Sequence, residues 1–366
     1  LMKYYKLQEL CIDIIDCPHS TPNWKNEGIR VVRNFNLKDG NIDFTDGYFV
    51  DEATYIERTK RAVPEEEDII ISREAPMGVV GIVPKGLKCC LGQRLVLLKV
   101  NKQKCDPFYL LNTLMSDFVQ TQFRRADTTG SIVSNLCIPD LKEIIIPVIE
   151  RGQREMASFL EMINRKCIIN NMINDNLSAM AYDIYMHNFF SKEPNAKLND
   201  ILIEAEKSVV QVGEAKTSNG EYPFFTSGAT ILKWDEPFVD GRNCFLNTGG
   251  NADVKFYVGK TAYSTDTWSI SAKSEMSDYL YLMLFSIKPE LDQKFFQGTG
   301  LKHLQKPLLK DRPIYVPEKM ELEAFNRQVM PMLDIISENT RENQQLTSLR
   351  DWLLPMLMNG QATISD

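Results

Sequence analysis

The sequence predicts an α+β fold made of two matched halves. Each half is a globular α/β segment followed by one long helix, and the two helices pair antiparallel as a coiled coil with internal pseudo-twofold symmetry. Three observations predict this. A heptad seam occurs twice, short apolar runs bounded by turn residues recur in the same order before each copy, and 366 residues suffice for two cores of ordinary size.

The first seam runs Met156, Leu160, Ile163, Cys167, Asn170, Asn174, Leu177, Ala181, Ile184, Asn188. The second runs Phe325, Val329, Met332, Ile336, Asn339, Asn343, Leu346, Arg350, Leu353, Leu357, and 325 − 156 and 357 − 188 both give an interval of 169. Steps alternating four and three are those of a coiled-coil seam. Each copy places two Asn in adjacent central layers, where polar side chains weaken pairing but fix its register. In an antiparallel pair Asn170 faces Asn343 and Asn174 faces Asn339, with the globular halves at opposite ends. The helices are expected from about Gly152 to Phe189 and from Met320 to Met358, each about 55 Å long at 1.5 Å per residue. Pro331 and Pro355 predict a kink in the second, and Arg350 breaks its seam where the first has Ala181.

Upstream of the helices the duplication continues. Thr129-Gly130 matches Thr299-Gly300, Ile146-Pro147 matches Val316-Pro317, and Tyr109-Leu110-Leu111 matches Tyr279-Leu280-Tyr281, each 170 apart. Leu7-Gln8-Glu9-Leu10 resembles Leu198-Asn199-Asp200-Ile201, while the loops between share little. Strands are expected at 68–72, 78–83 and 94–98, then at 243–247 and 254–258, because these compact apolar runs are bounded by Gly, Pro, Asn and Asp. A helix follows in each half, near Pro107 to Arg124 and Ser277 to Phe296. The domains read as 1–150, a long helix at 151–190, 191–318, and a second long helix with a tail at 319–366. Pro194 opens the second unit, since it cannot continue a helix.

Composition narrows the class. Mean hydropathy is −0.25, and no apolar run approaches the roughly 20 residues of a membrane span. There is no basic and apolar leader pattern at the start. The eight cysteines include no C-x-x-C, which argues against a zinc site or disulfide frame and for a reducing cytoplasm. A net charge of −7 runs against DNA binding, which needs Lys and Arg. Basic residues nevertheless cluster at 58–61, 85–88, 124–125 and 302–306, as solvated faces or as phosphate contacts.

No catalytic motif is complete. Gly259-Lys260-Thr261 lacks the Gly of a phosphate loop five residues earlier, where Val254 stands, and Gly249-Gly250 lacks dinucleotide spacing. His19, His187 and His303 lack metal-ligand spacing, and no Asn-Pro-Pro-aromatic tetrapeptide occurs. No catalytic or metal-ligating residue is therefore expected.

With Asp16-Cys17-Pro18-His19-Ser20-Thr21-Pro22 near the start, Thr129-Gly130-Ser131 and Gly298-Thr299-Gly300 late in each half, and Ile146-Pro147 and Val316-Pro317 before the helices, the ordered duplication resembles the specificity subunits of Type I restriction-modification systems. The resemblance implies two target-recognition domains, each reading half of an asymmetric bipartite DNA target. It implies helices that set the spacing and hold two methyltransferase subunits, with restriction subunits in addition. S-adenosylmethionine, ATP and Mg would then belong to those partners, with none in this chain. A spacer of about 55 Å is of the scale of the helical repeat of DNA, roughly 34 Å per turn. Two other accounts stay open: a coiled-coil scaffold joining proteins, and a nuclease built from dispersed carboxylates.

Polar residues in loops bounded by strands are the candidate readers, through base-edge contacts such as Arg to guanine and Asn or Gln to adenine. In the first half they are Ser72, Arg73, Glu74, Lys88, Gln93 and Arg94, with Thr129, Gly130 and Ser131 as a turn beside DNA. In the second they are Thr226, Ser227, Asn247, Thr248, Asn251, Ser264, Thr265, Thr299, Gly300 and Lys302. Each also reads as a turn residue meeting local hydrogen bonds. Outward-facing Met162, Ile169, Met172 and Met180 make the first helix apolar beyond its seam, as a partner surface would require.

Overall fold

The computed structural model describes residues 2–44, 47–74, 76–126, 135–150, 152–298 and 300–358. The chain divides into two compact units, residues 1–165 with 346–366, and residues 166–345. Both are built on one plan.

In the first unit a four-stranded sheet runs in the order Cys11–Asp16, Leu95–Val100, Ile69–Ser72, Val80–Ile82. β-Branched and leucine side chains fill these strands, and Ile69, Leu95, Val96 and Leu98 are fully buried. A second sheet pairs Ile29–Val32 antiparallel with Phe49–Val50 and parallel with Cys89–Leu91. Met2–Lys6 pairs antiparallel with Ile145–Ile149.

In the second unit the main sheet runs Leu202–Glu204, Thr267–Ala272, Arg242–Asn247, Val254–Val258. Tyr222–Phe225 pairs antiparallel with Leu232–Trp234 and parallel with Ala262–Tyr263, the arrangement of the first unit's smaller sheet. Ala196–Lys197 pairs with Pro313–Ile314, again joining the first strand of the unit to its last.

The loose likeness of Leu7–Leu10 to Leu198–Ile201 is a likeness of structure. Both are single helical turns with buried ends, and each is capped by an acid three residues on: Lys6 N donates to Glu9 at 2.7 Å and Lys197 N to Asp200 at 2.8 Å. Each turn hangs on the residue just before the final strand, Leu7 N donating to Ile144 O at 2.8 Å and Leu198 N to Arg312 O at 3.0 Å. Tyr109 and Tyr279 are buried in their cores, each hydroxyl donating to a backbone carbonyl, of Pro147 and Tyr315 respectively.

Three expectations are corrected in detail. The helix expected from Pro107 to Arg124 is two, Pro107–Met115 and Asp117–Ala126, because Ser116 turns to an extended ψ of 150°. In the second unit Ser277–Ser286 is followed by Lys288–Glu290 and a π-turn at Leu291–Phe295. Arg94 lies outside the strand that was expected to begin with it and takes a left-handed φ of 65°.

The long helices are Gln153–Phe189 and Lys319–Met358. The second runs unbroken through Pro331 and Pro355; Val329 and Leu333, fully packed on either side of Pro331, hold that turn in place. Seam residues feed the cores of their own units. Met156 and Leu160 join the first core, and Ala181, Phe325 and Val329 the second. No helix here is long and apolar enough to cross a membrane among the described residues.

Within the second unit the helices run antiparallel through the Asn layers. Asn170, with no exposed surface, donates to Asn343 Oδ1 at 2.9 Å and to Glu342 at 2.6 Å, and Asn339 donates to Asn174 Oδ1 at 2.8 Å. Asn343 in turn donates to Asn171 at 2.8 Å. The Asn170 hydrogen bond and Lys166, 3.2 Å away, hold the Glu342 carboxyl below its ordinary range. That contribution is present above the unfolded carboxylate pKa and fades as pH falls below it. Within the first unit Arg350 replaces an apolar layer and donates to Asn164 at 3.3 Å.

The Oδ1 of Asn170 is buried without a hydrogen-bond partner, which costs on the order of 1–3 kcal/mol. Replacing Asn170 and Asn343 together with Leu should therefore raise the thermal midpoint while relaxing register. A fall in the midpoint of the double variant in calorimetry would show that the Asn layer itself supplies the stability.

Candidate nucleic-acid interface

Apart from Lys88, the candidate readers among the described residues gather at one end of each main sheet, held there by main-chain hydrogen bonds that the two units share. Arg73 N donates to Arg94 O at 2.8 Å, and Thr248 N donates to Asp266 O at 2.9 Å. Gly92 N donates to Val32 O at 2.7 Å, and Ser264 N to Phe225 O at 2.9 Å. Leu136 N reaches Arg73 O and Leu304 N reaches Thr248 O, both at 3.0 Å. These pairs fix a structural alignment of the two rims. Arg73 corresponds to Thr248, Arg94 to Asp266, Gln93 to Thr265, and the residue after Val32, Arg33, to Thr226.

In the first unit the rim residues divide by what already holds them. Ser72 is fully buried; its Oγ donates to Pro76 O at 2.6 Å and accepts from Val79 N at 2.9 Å, closing the turn. Arg73 is a frame residue: its guanidinium grips Asp16 at 3.0 and 3.2 Å, Leu136 O at 3.0 Å and Asn135 at 3.4 Å. Glu74 is half-buried and pairs with Arg94 at 3.2 Å. Gln93 donates to His19 O and to Thr21 Oγ1, tying the rim to the segment after Asp16. Arg94 is exposed, its left-handed backbone turning the side chain out of the sheet. Lys88 lies apart from these contacts, bonded to both Glu52 oxygens at 2.9 Å over the Tyr55 ring. Thr129, Gly130, Ser131 and Thr299 lie outside the described residues.

The second rim is built from hydroxyls and amides. Thr226 is buried, accepting Gly228 N at 3.1 Å, and Lys255 donates to Thr226 O at 2.6 Å and to Gly228 O. Burial lowers the pKa of Lys255. Ser227 and Thr248 both donate to Asp266 O, at 2.7 and 3.1 Å, leaving the Asp266 side chain exposed. Asn247 is buried, accepting Asp253 N at 2.7 Å and donating to Gly249 O at 3.0 Å and to Asn251 O. Asn251 and Gly300 are exposed; Thr265 is half-buried; Ser264 is buried against Thr267 at 2.9 Å. Lys302 pairs with Asp292 at 3.1 Å, and a backbone bond from Ala252 with this pair holds the Asp292 carboxyl below its usual range.

Sequence reasoning passed over two arginines. Arg58, counted among the basic faces, is buried and donates to Leu91 O and Ser20 O at 2.9 Å and to Pro18 O at 3.3 Å, so it anchors the loop after Asp16. Arg33 follows a strand of only four residues, which gave it no period-2 signal; its match to Thr226 emerges only from the strand pairing.

Residues 2–179 match the family described as Type I restriction modification DNA specificity domain. A specificity subunit of a Type I restriction enzyme, MjaIX, of Methanocaldococcus jannaschii is 20% identical over 371 residues, covering 86% of this chain and 85% of the relative. Residues 2–179, just under half of the chain, thus carry a Type I restriction modification DNA specificity domain. A putative MjaX specificity subunit of the same organism is 29% identical over 131 residues, covering 36% of this chain and 28% of the relative. The crystal structure of a Type-I restriction-modification S subunit from M. genitalium superposes with a TM-score of 0.61 at 14% identity, covering 97% of this chain and 95% of the other, and shares its fold.

The rim geometry separates two arginines that the sequence treats alike. Arg73→Ala should lower stability by about 1–3 kcal/mol, because it strands Asp16 and a buried carbonyl, whereas Arg94→Ala should stay within about 0.5 kcal/mol. Urea unfolding of both variants distinguishes them; equal losses would mean that Arg94 is also a frame residue.

Proposed function

We propose that this specificity subunit reads an asymmetric, bipartite DNA target, one half-site by residues 1–150 and the other by residues 191–318. The long helices at 151–190 and 319–366 would position two methyltransferase subunits, and restriction subunits in addition. The observation that carries this reading is the pair of rims: one main-chain frame, two different sets of side chains. A duplicated identical reader would address a palindrome, whereas these two sets present different hydrogen-bonding groups and so address different bases. The DNA-facing residues are the accessible rim side chains, Arg94 in the first unit and Asn251, Thr265 and Asp266 in the second, with Lys88 and Lys302 as phosphate contacts once released from their surface carboxylates. Such exposed pairs contribute little and exchange readily for phosphate.

An acidic chain with net charge −7 binds DNA weakly alone and draws further phosphate contacts from its partners. Met162, Ile169, Met172 and Met180 are 59, 52, 60 and 51% exposed on the first long helix, which is apolar surface suited to a methyltransferase subunit. Those partners would carry S-adenosylmethionine, and ATP and Mg where restriction subunits join, and would flip the target base from the duplex.

Exchanging residues 1–145 for the equivalent segment of a relative should replace one half of the recognised sequence and preserve the other. Loss of both halves in a folded chimera would mean that recognition is not modular. In the same assay Lys302→Ala should weaken binding to all sequences alike and reduce the salt slope by about 1. Replacing Met172 and Met180 with Glu should abolish co-purification with the cognate methyltransferase without changing the melting curve; an intact complex would place the docking surface elsewhere.

A further inference from the structure

The first rim holds one arginine that no carboxylate occupies. The Arg33 guanidinium carbon lies 4.5 Å from the ring centre of Tyr48, 4.7 Å from Phe35 and 5.5 Å from Trp24. Trp24 and Tyr48 meet edge-on at 4.9 Å, and Phe35 packs on Tyr48 at 5.7 Å, so the rings support one another. Trp24 is 39% exposed, which places this cage at the surface. Among the described residues Arg33 has no ion pair, whereas Arg73 is held by Asp16 and Arg94 by Glu74. Its neighbour Arg30 stacks on Phe44 and Phe49 but also spends a donor on Phe44 O at 3.3 Å.

We infer that Arg33 is a specificity-determining residue of the first half and that it selects a guanine. This rests on the proposed reading of DNA by the rims. Aromatic faces orient a guanidinium plane without using its N–H donors, so the fork is pre-organised yet free. A free, planar pair of donors matches the O6 and N7 acceptors that guanine presents in the major groove. The structurally matched position in the second unit is Thr226, whose hydroxyl is spent on its own turn. At three of the four matched rim positions the first unit has Arg33, Arg73 and Arg94 where the second has Thr226, Thr248 and Asp266. The guanine contact therefore belongs to the first half-site alone.

Selection from a randomised duplex library on the full chain at low salt, for wild type, Arg33→Gln and Arg33→Lys, tests this. Wild type should return a consensus with a guanine in one half-site. Arg33→Gln should lose preference at that position, by about 5- to 150-fold, with every other position kept, and Arg33→Lys should lose part of it. Replacing that guanine with 7-deazaguanine should weaken binding of wild type but not of Arg33→Gln, and the wild-type arm needs no folded variant. The inference is overturned if the variants return the wild-type consensus, if 7-deazaguanine is tolerated by wild type at every guanine of that half-site, or if binding falls uniformly for all sequences, which marks a phosphate contact. A wild-type selection that returns no consensus either for the chain alone or for its complex with the cognate methyltransferase overturns the proposed function itself.

Discussion

Each recognition rim is closed by the same main-chain hydrogen bonds, and that constraint governs the molecule. Backbone donors and acceptors at the ends of strands must be satisfied wherever they are buried. Here Arg73 N–Arg94 O and Thr248 N–Asp266 O, with their two companion pairs, satisfy them without reference to side-chain identity. The frame can therefore be duplicated while the side chains diverge. Arginines caged by aromatic rings or paired with carboxylates make one rim, and hydroxyls, amides and an exposed aspartate make the other. On the proposed reading, specificity is a property of groups mounted on a fixed support.

The long helices meet the opposite requirement. A seam of identical apolar layers can slide by a heptad at little cost, and a polar layer penalises every register but one. Asn170 achieves this at a local cost, keeping one buried amide oxygen unpaired while its nitrogen serves both Asn343 and Glu342. A helix pair whose layers must match needs register more than it needs the last increment of stability.

The frame was legible in the sequence because it rests on periodicity. Heptad spacing marked both long helices, Ile-Val-Leu runs marked the central strands, and Tyr109 with Tyr279 marked matched core positions. The rims were legible only as a location. Arg73 and Arg94 have the same composition signal, yet one is locked under Asp16 and the other exposed by a left-handed turn, a difference set by tertiary contacts. Ser116 split an expected helix because its ψ is decided by local hydrogen bonding to Thr113. Arg33 was invisible because Trp24 and Tyr48 converge on it from two separate loops, beside Phe35 of the 3-10 turn Asn34–Asn36.

The account's central claim is that two unlike readers on one frame make an asymmetric, split specificity. Mapping the base methylation that this subunit directs, when produced with its methyltransferase in a host free of other modification systems, tests it most directly. The account predicts a motif of two short, dissimilar half-sites separated by a fixed run of unspecified bases. A contiguous motif or a palindrome would contradict it.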